Sequence, residues 1–247
     1  MKNLPVLLVL PMMLVVTSVL LNSTHGPYWI SYNSDPEYVY LFNSLNVADS
    51  KPVGHTDHPG TTLQLLGATT LEISHALDFS AKDNLELAVL KNPEFYLTVL
   101  NTVLITLNVL LLFNLGLVTF TLTQNVWLSI LLQFSPFLST TVLTQGLPRV
   151  SCEPLLLFAS LLLALVLVKM VVSESLTKPS RWYLIILALV SSFGIVTKVT
   201  FVPLLIIPLL VLPTLRNKIV FLFLTGLSVI LWTWPIISQY ERIYHWF

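Results

Sequence analysis

The chain has 247 residues, 55% of them hydrophobic and 10% charged, with a mean hydropathy of +0.83. Soluble domains carry roughly 25% charged residues, so this composition excludes an ordinary soluble protein and points to an integral membrane chain. A formal net charge of zero without a basic cluster excludes recruitment of nucleic acid, and a single cysteine, Cys152, excludes an internal disulfide, a CxxC redox pair or a zinc finger.

The first element is an apolar run, Leu4 to Leu21, preceded by Lys2. Its length suits a signal peptide or a first anchor, but no small-x-small cleavage site follows, which favours an uncleaved helix. Pro5 and Pro11 are compatible with that reading, because proline is tolerated in membrane helices. A polar loop from about Asn22 to Pro93 comes next. Between Asn22 and Glu94 lie nine of the twelve acidic residues and four of the five histidines. Two short helices are expected within it. The first covers Pro36 to Val47, with Pro36 at a first helical position and Asp35 as its cap. The second, from about Gly60 to Leu77, mixes leucines with Thr and Gln in the manner of an interfacial helix, and places Glu72 and His75 one turn apart.

From Phe95 to Pro148 there is no Lys, Arg, Asp or Glu, enough length for two crossings at about 20 residues each, with a turn expected near Thr119 to Asn125. A further span covers Pro154 to Val168 and ends at Lys169; Lys169 to Arg181 is a charged connection. The block Trp182 to Leu215, split by Lys198 and carrying Pro203, Pro208 and Pro213, reads as two short helices, with one kinked helix as the alternative. A last span occupies Ile219 to Ile237. The expected fold is therefore all-α and polytopic, a single membrane domain with about seven spans, or six if the Lys198 block is one helix. Its parts are a first span over 1–22, the loop over 23–93, the remaining spans over 94–238 and the start of a further polar segment over 239–247. Positive residues in short segments, namely Lys2, Lys169, Lys178, Arg181, Arg216 and Lys218, place those segments in the cytoplasm. The acidic loop then faces the other side.

The residues able to do chemistry gather in that loop. Asp35 and Glu37 are two carboxylates just beyond a membrane helix, costly to desolvate unless used or solvated. Either they cap a loop helix and sit in its first turn, or one of them acts as a general base toward an acceptor hydroxyl. His55-Thr56-Asp57-His58-Pro59-Gly60 offers two imidazoles and a carboxylate ahead of a helix start, suited to phosphate or a divalent cation, although an exposed polar turn has the same composition. Lys51 is a phosphate-pairing candidate or a solvated loop lysine. Arg149 and Glu153 flank a membrane-edge turn, where they read as an interfacial ion pair or as functional groups. Lys198 either snorkels to the interface or neutralises a lipid phosphate. The tryptophans Trp29, Trp182, Trp232, Trp234 and Trp246 read as interface markers rather than sugar platforms.

With these residues in order, the chain resembles the GT-C superfamily of polytopic glycosyltransferases, which includes the protein O-mannosyltransferases and the aminoarabinose transferase of bacterial lipid A. The resemblance covers nearly the whole chain, matched to the N-terminal module of that fold. Ser34-Asp35-Pro36-Glu37-Tyr38 is similar to the acidic motif near the start of the family's first non-cytoplasmic loop, with a proline between the two acids. Asp57-His58-Pro59-Gly60 is similar to its acidic-basic-Pro-Pro motif, with Gly60 in place of the second proline. Pro148 to Pro154 resembles an Arg-Glu helix entry, and Gly194-Ile195-Val196-Thr197-Lys198-Val199-Thr200 a Gly-x-x-x-Lys-x-Thr helix end.

The resemblance implies an enzyme that moves a sugar from a polyprenyl-phosphate donor to a lipid, glycan or protein acceptor at the non-cytoplasmic face, with inversion. Asp35 is then the catalytic base and Glu37 its companion acid. His58, Arg149 and Lys198 approach the donor phosphate, and Asp57 helps to hold a divalent metal where one is used. It also implies a multi-pass protein of a bacterial inner membrane or the endoplasmic reticulum, with membrane lipids as neighbours. Family members continue with further spans, so the chain is expected to be one module of a longer enzyme or to work with a second subunit. The alternative from the same residues is a non-catalytic subunit that binds or transports a lipid-phosphate sugar. An ion-coupled transporter is disfavoured, because no carboxylate falls in the middle of a span.

Overall fold

The computed structural model describes residues 4–30, 37–54, 60–78, 83–172, 179–241 and 244; among these every regular element is helical. In chain order the helices are α1 (Leu4–His25), α2 (Glu37–Ala48), α3 (Thr61–Leu77), α4 (Leu85–Lys91), α5 (Pro93–Thr123), α6 (Val126–Phe134), α7 (Cys152–Val172), α8 (Arg181–Thr197), α9 (Ile206–Val211) and α10 (Leu215–Trp232). Short 3₁₀ segments at Ser135–Leu138, Val199–Leu205 and Trp234–Gln239, and a π turn at Val142–Gly146, join or extend them.

The starts follow local chemistry. Asn84, Asn125, Ser180 and Thr214 each cap a helix by accepting a backbone N–H three residues on, at 2.9 Å for Asn84 and 3.1 Å for Asn125. Gln124, in the left-handed region at φ 54°, ends α5 inside the stretch where a turn is expected.

Among the described residues four helices are long and apolar enough to cross a membrane: α1, α5, α7 and α10. Three further apolar segments are shorter, Val126–Leu138, Arg181–Thr197 and Val199–Val211. The seven expected spans thus resolve into four helices of crossing length and three short ones. The expected crossing between Asn125 and Pro148 is not one helix. It is interrupted between Leu138 and Thr140 and again by the π turn that ends at Gly146. The block around Lys198 divides into two short helices that meet at that residue, as its prolines suggest.

Packing follows a simple plan. α7 lies centrally, with α1, α5 and the α6 region on one side and α8 and α10 on the other. At 31 residues α5 is about 46 Å long, against a hydrocarbon core of about 30 Å. Its first turns, through Tyr96, Leu97, Leu100 and Leu104, accordingly form a separate core with the loop helices α2 and α3 and the start of α7. α2 and α3 approach closely because Gly67 has no side chain: a Cβ there would meet Ser44 Oγ at 2.0 Å. Thus α3 has a buried face, Leu63, Ala68 and Leu71, and is not simply laid on the interface as its mixed sequence suggests.

One polar contact anchors the membrane half. Pro11 lacks an N–H, which leaves the Leu7 carbonyl of α1 without its helical donor. The side-chain amide of Gln133 supplies one at 2.9 Å and also donates to Leu112 O at 3.1 Å. Gly116 makes room for it, since a Cβ there would fall 2.3 Å from the Gln133 Nε2.

Candidate functional site

The start of α2, the turn after α1 and the segment before α7 converge at one end of the bundle. Glu37 opens α2, where a carboxylate complements the helix N-terminus. Arg149 belongs to the turn leading into α7. This turn is held by Arg149 N donating to Gly146 O at 3.2 Å and by Asn101 Nδ2 donating to Pro148 O at 3.2 Å. The Arg149 Nε donates to Glu37 Oε1 in a short, fully buried ion pair. Its Nη1 donates to Gly26 O at 3.0 Å and its Nη2 to Tyr28 O at 3.3 Å, while the guanidinium lies 4.6 Å from the centre of the Tyr28 ring. Gly26 takes φ +74°, the left-handed turn that presents these carbonyls after α1. Among the described residues, Glu37 Oε2 is buried without a hydrogen-bond partner.

A second carboxylate, not expected from the sequence, supports this arrangement. Glu94, in the first turn of α5, accepts the backbone N–H groups of Tyr28 and Trp29, each at 3.1 Å, and the Tyr38 hydroxyl at 2.7 Å. Desolvation, then the hydrogen bond to Glu94, pushes the Tyr38 phenol up to about 12. The Tyr28 phenol is also raised, chiefly by burial. Glu94 closes the acidic region of the loop and follows Pro93 at a helix start, which was the signal for its position.

Four residues beyond Arg149, Glu153 lies in the first turn of α7 and accepts from Lys198 Nζ at 2.6 Å, with each side chain about a quarter exposed. Lys198 is placed by the end of α8, where its backbone turns extended and its N–H returns to Gly194 O at 3.0 Å. Gly194 is needed for packing: a Cβ there would lie 2.6 Å from the ring of the buried Phe201. The Thr197 hydroxyl is 2.7 Å from that of Thr62, which ties this end of α8 to the first turn of α3. Gly146 allows the preceding turn to pass Glu153, whose Cβ would be 2.9 Å from an added Cβ.

The structure therefore brings Glu37 to Arg149 and Glu153 to Lys198, and places the start of α3 beside the second pair. Asp35, Asp57 and His58, with His55, lie outside the described residues. Among the described residues no group of three or more His, Cys, Asp or Glu side chains is placed to hold a metal ion. Lys51 is engaged with Asp49 at 2.8 Å and Glu86 at 3.0 Å. Chemically, the two pairs differ. Arg149 is wholly enclosed and its described contacts are internal, whereas Lys198 and Glu153 keep partial access to solvent or a ligand. No protein-family model, curated protein or solved structure matches the chain.

Proposed function

We propose that this chain is a membrane glycosyltransferase module acting on a polyprenyl-phosphate sugar donor, with the reaction at the membrane face that carries the loop helices. The observation that supports this reading is the meeting of two acid–base pairs, Glu37–Arg149 and Glu153–Lys198, at one end of a helical bundle whose other described surfaces are largely apolar. Ionisable groups at membrane depth are costly unless they have a task or a partner.

In this reading Asp35, two residues ahead of Glu37, is the general base that takes the proton of the acceptor hydroxyl as its oxygen attacks the anomeric carbon. The leaving group is the polyprenyl phosphate. Arg149 acts as a positioning residue: it fixes Glu37 and the turn after α1, and so the start of α2. Lys198 supplies the positive charge for the donor phosphate, exchanging its contact with Glu153 for one with phosphate oxygens. The start of α3, tied to α8 through Thr62 and Thr197, offers backbone N–H groups to the same phosphate. His58 and Asp57 precede that helix in sequence; His58 would approach the phosphate and Asp57 would help to hold a divalent metal where one is used.

The test is transfer from a radiolabelled polyprenyl-phosphate sugar in proteoliposomes. Asp35→Asn should abolish transfer at unchanged protein level, and Lys198→Ala should raise the donor KM. Full transfer by Asp35→Asn would remove the proposed base. Donor binding without transfer in the native protein would favour the alternative, a subunit that binds or moves a lipid-phosphate sugar without reacting it.

A further inference from the structure

A cleft of about 410 Å³ opens between the end of α2 and the segment that follows α10. One wall is Val47, Ser50 and Lys51; the other is Trp234, Pro235 and Ser238. It lies at the opposite end of α2 from Glu37, ten residues and about 15 Å along the helix axis, so it is separate from the site described above. Its volume falls within the range of small-molecule sites.

The walls select a ligand class. Trp234 is 70% exposed and offers an indole face. Lys51 sits between Asp49 and Glu86, at 2.8 and 3.0 Å, so one positive charge faces two negative ones. An anion entering here finds the cation already paired and a carboxylate in excess, which disfavours phosphate, sulfate and acidic headgroups. A purely apolar ligand would strip water from the Ser50 and Ser238 hydroxyls and from the ion cluster without replacing it. A neutral ring with an apolar C–H face and a rim of hydroxyls fits both demands. Its face covers the indole, and its hydroxyls exchange hydrogen bonds with the two serines and accept from the Lys51 ammonium.

The cleft is also held in shape. Lys51 N donates to Asn46 O at 2.7 Å and Ser50 N to Val47 O at 3.0 Å, a closing motif in which Ser50 takes φ 56°. The Lys51–Glu86 contact ties this end of α2 to the first turn of α4.

We propose that this cleft binds a neutral saccharide, its ring lying on Trp234 and its hydroxyls on Ser50, Ser238 and Lys51. Binding here requires no turnover, so it stands apart from glycosyl transfer. If transfer holds as well, the cleft is where an acceptor glycan or a growing chain rests away from its reacting end.

The test is saturation-transfer difference NMR on the full chain in lipid nanodiscs, with methyl glucoside, methyl mannoside, methyl galactoside and their disaccharides as probes. Binding in the millimolar range is expected, strongest at the ring protons of one face. Trp234→Ala should weaken it about tenfold. Ser238→Trp, at an exposed position, should block it while leaving the far-UV circular dichroism unchanged, and Trp182→Ala should have no effect. No saturation transfer to any saccharide, an equal NMR effect in Ser238→Trp, or binding of choline or inorganic phosphate in preference to the sugars would each overturn the proposal. Saccharide binding with no glycosyl transfer would overturn only the enzymatic reading.

Discussion

Replacing Arg149 by methionine leaves Glu37 facing a buried, apolar space in which its charge has lost its partner. Breaking such a pair from one side costs about 3–5 kcal/mol. Loss of the donors to Gly26 O and Tyr28 O adds about 1 kcal/mol each.

Cys152, the sole cysteine and fully buried three residues from Arg149, reports the outcome directly. Its labelling by a maleimide follows the population of the open form when reclosing is fast. Labelling of the variant should be more than a hundredfold faster than that of the wild type at pH 7. In the double variant Glu37→Gln/Arg149→Met, which leaves no buried charge without its partner, much of that increase should be lost. Labelling of the single variant at the wild-type rate, or labelling of the double variant as fast as the single one, would refute the assignment of Glu37 as a buried charge held by Arg149.

Three further outcomes follow from the fold. Gln133→Leu should lower stability by about 1 kcal/mol by leaving Leu7 O unsatisfied in hydrocarbon, and adding Pro11→Leu should restore it by returning the missing N–H; thermal denaturation of the single and double variants in lipid decides. Ser50→Gly should stabilise the chain by about 0.5–1 kcal/mol, since a left-handed residue at φ 56° is cheaper as glycine, and a lower denaturation midpoint would contradict this. Because the Tyr38 phenol is raised to about 12, its contribution is fully present below pH 10, where an unfolded tyrosine begins to ionise, and is lost as pH rises toward 12. Between those limits the wild type should lose more stability than Tyr38→Phe, as read from unfolding midpoints at matched pH.

Local chemistry made much of this architecture legible in the amino-acid order. The two loop helices begin and end within a residue of expectation, since proline, glycine and polar caps mark their ends. Lys198 divides its block because a charge and the prolines that follow it favour a break over one continuous membrane helix. The stretch from Asn125 to Pro148 was harder to divide, because hydropathy registers apolarity and not continuity; Pro136 and Gly146 were the local signs of its interruptions. Of the candidate residues, the Arg149 and Glu153 segment stood out by charge, but its partners did not. Glu37 is 112 residues from Arg149 and Lys198 is 45 from Glu153, and only the packing of α2 on α3 and α5, and of α8 against α7, pairs them. Glu94 looked like one more acid in an acidic loop until its three donors were placed around it.

The amide of Gln133 meets a carbonyl 126 residues earlier in the chain. Seen during synthesis, α1 enters the bilayer with an incomplete hydrogen-bond ladder at Pro11 and stays so until α6 has been made. Lipid offers no substitute donor in the meantime. The gap gives the first helix a standing preference for one late neighbour over the others that arrive before it. A proline that weakens α1 alone therefore helps to specify, within the membrane, that α6 joins it beside α5.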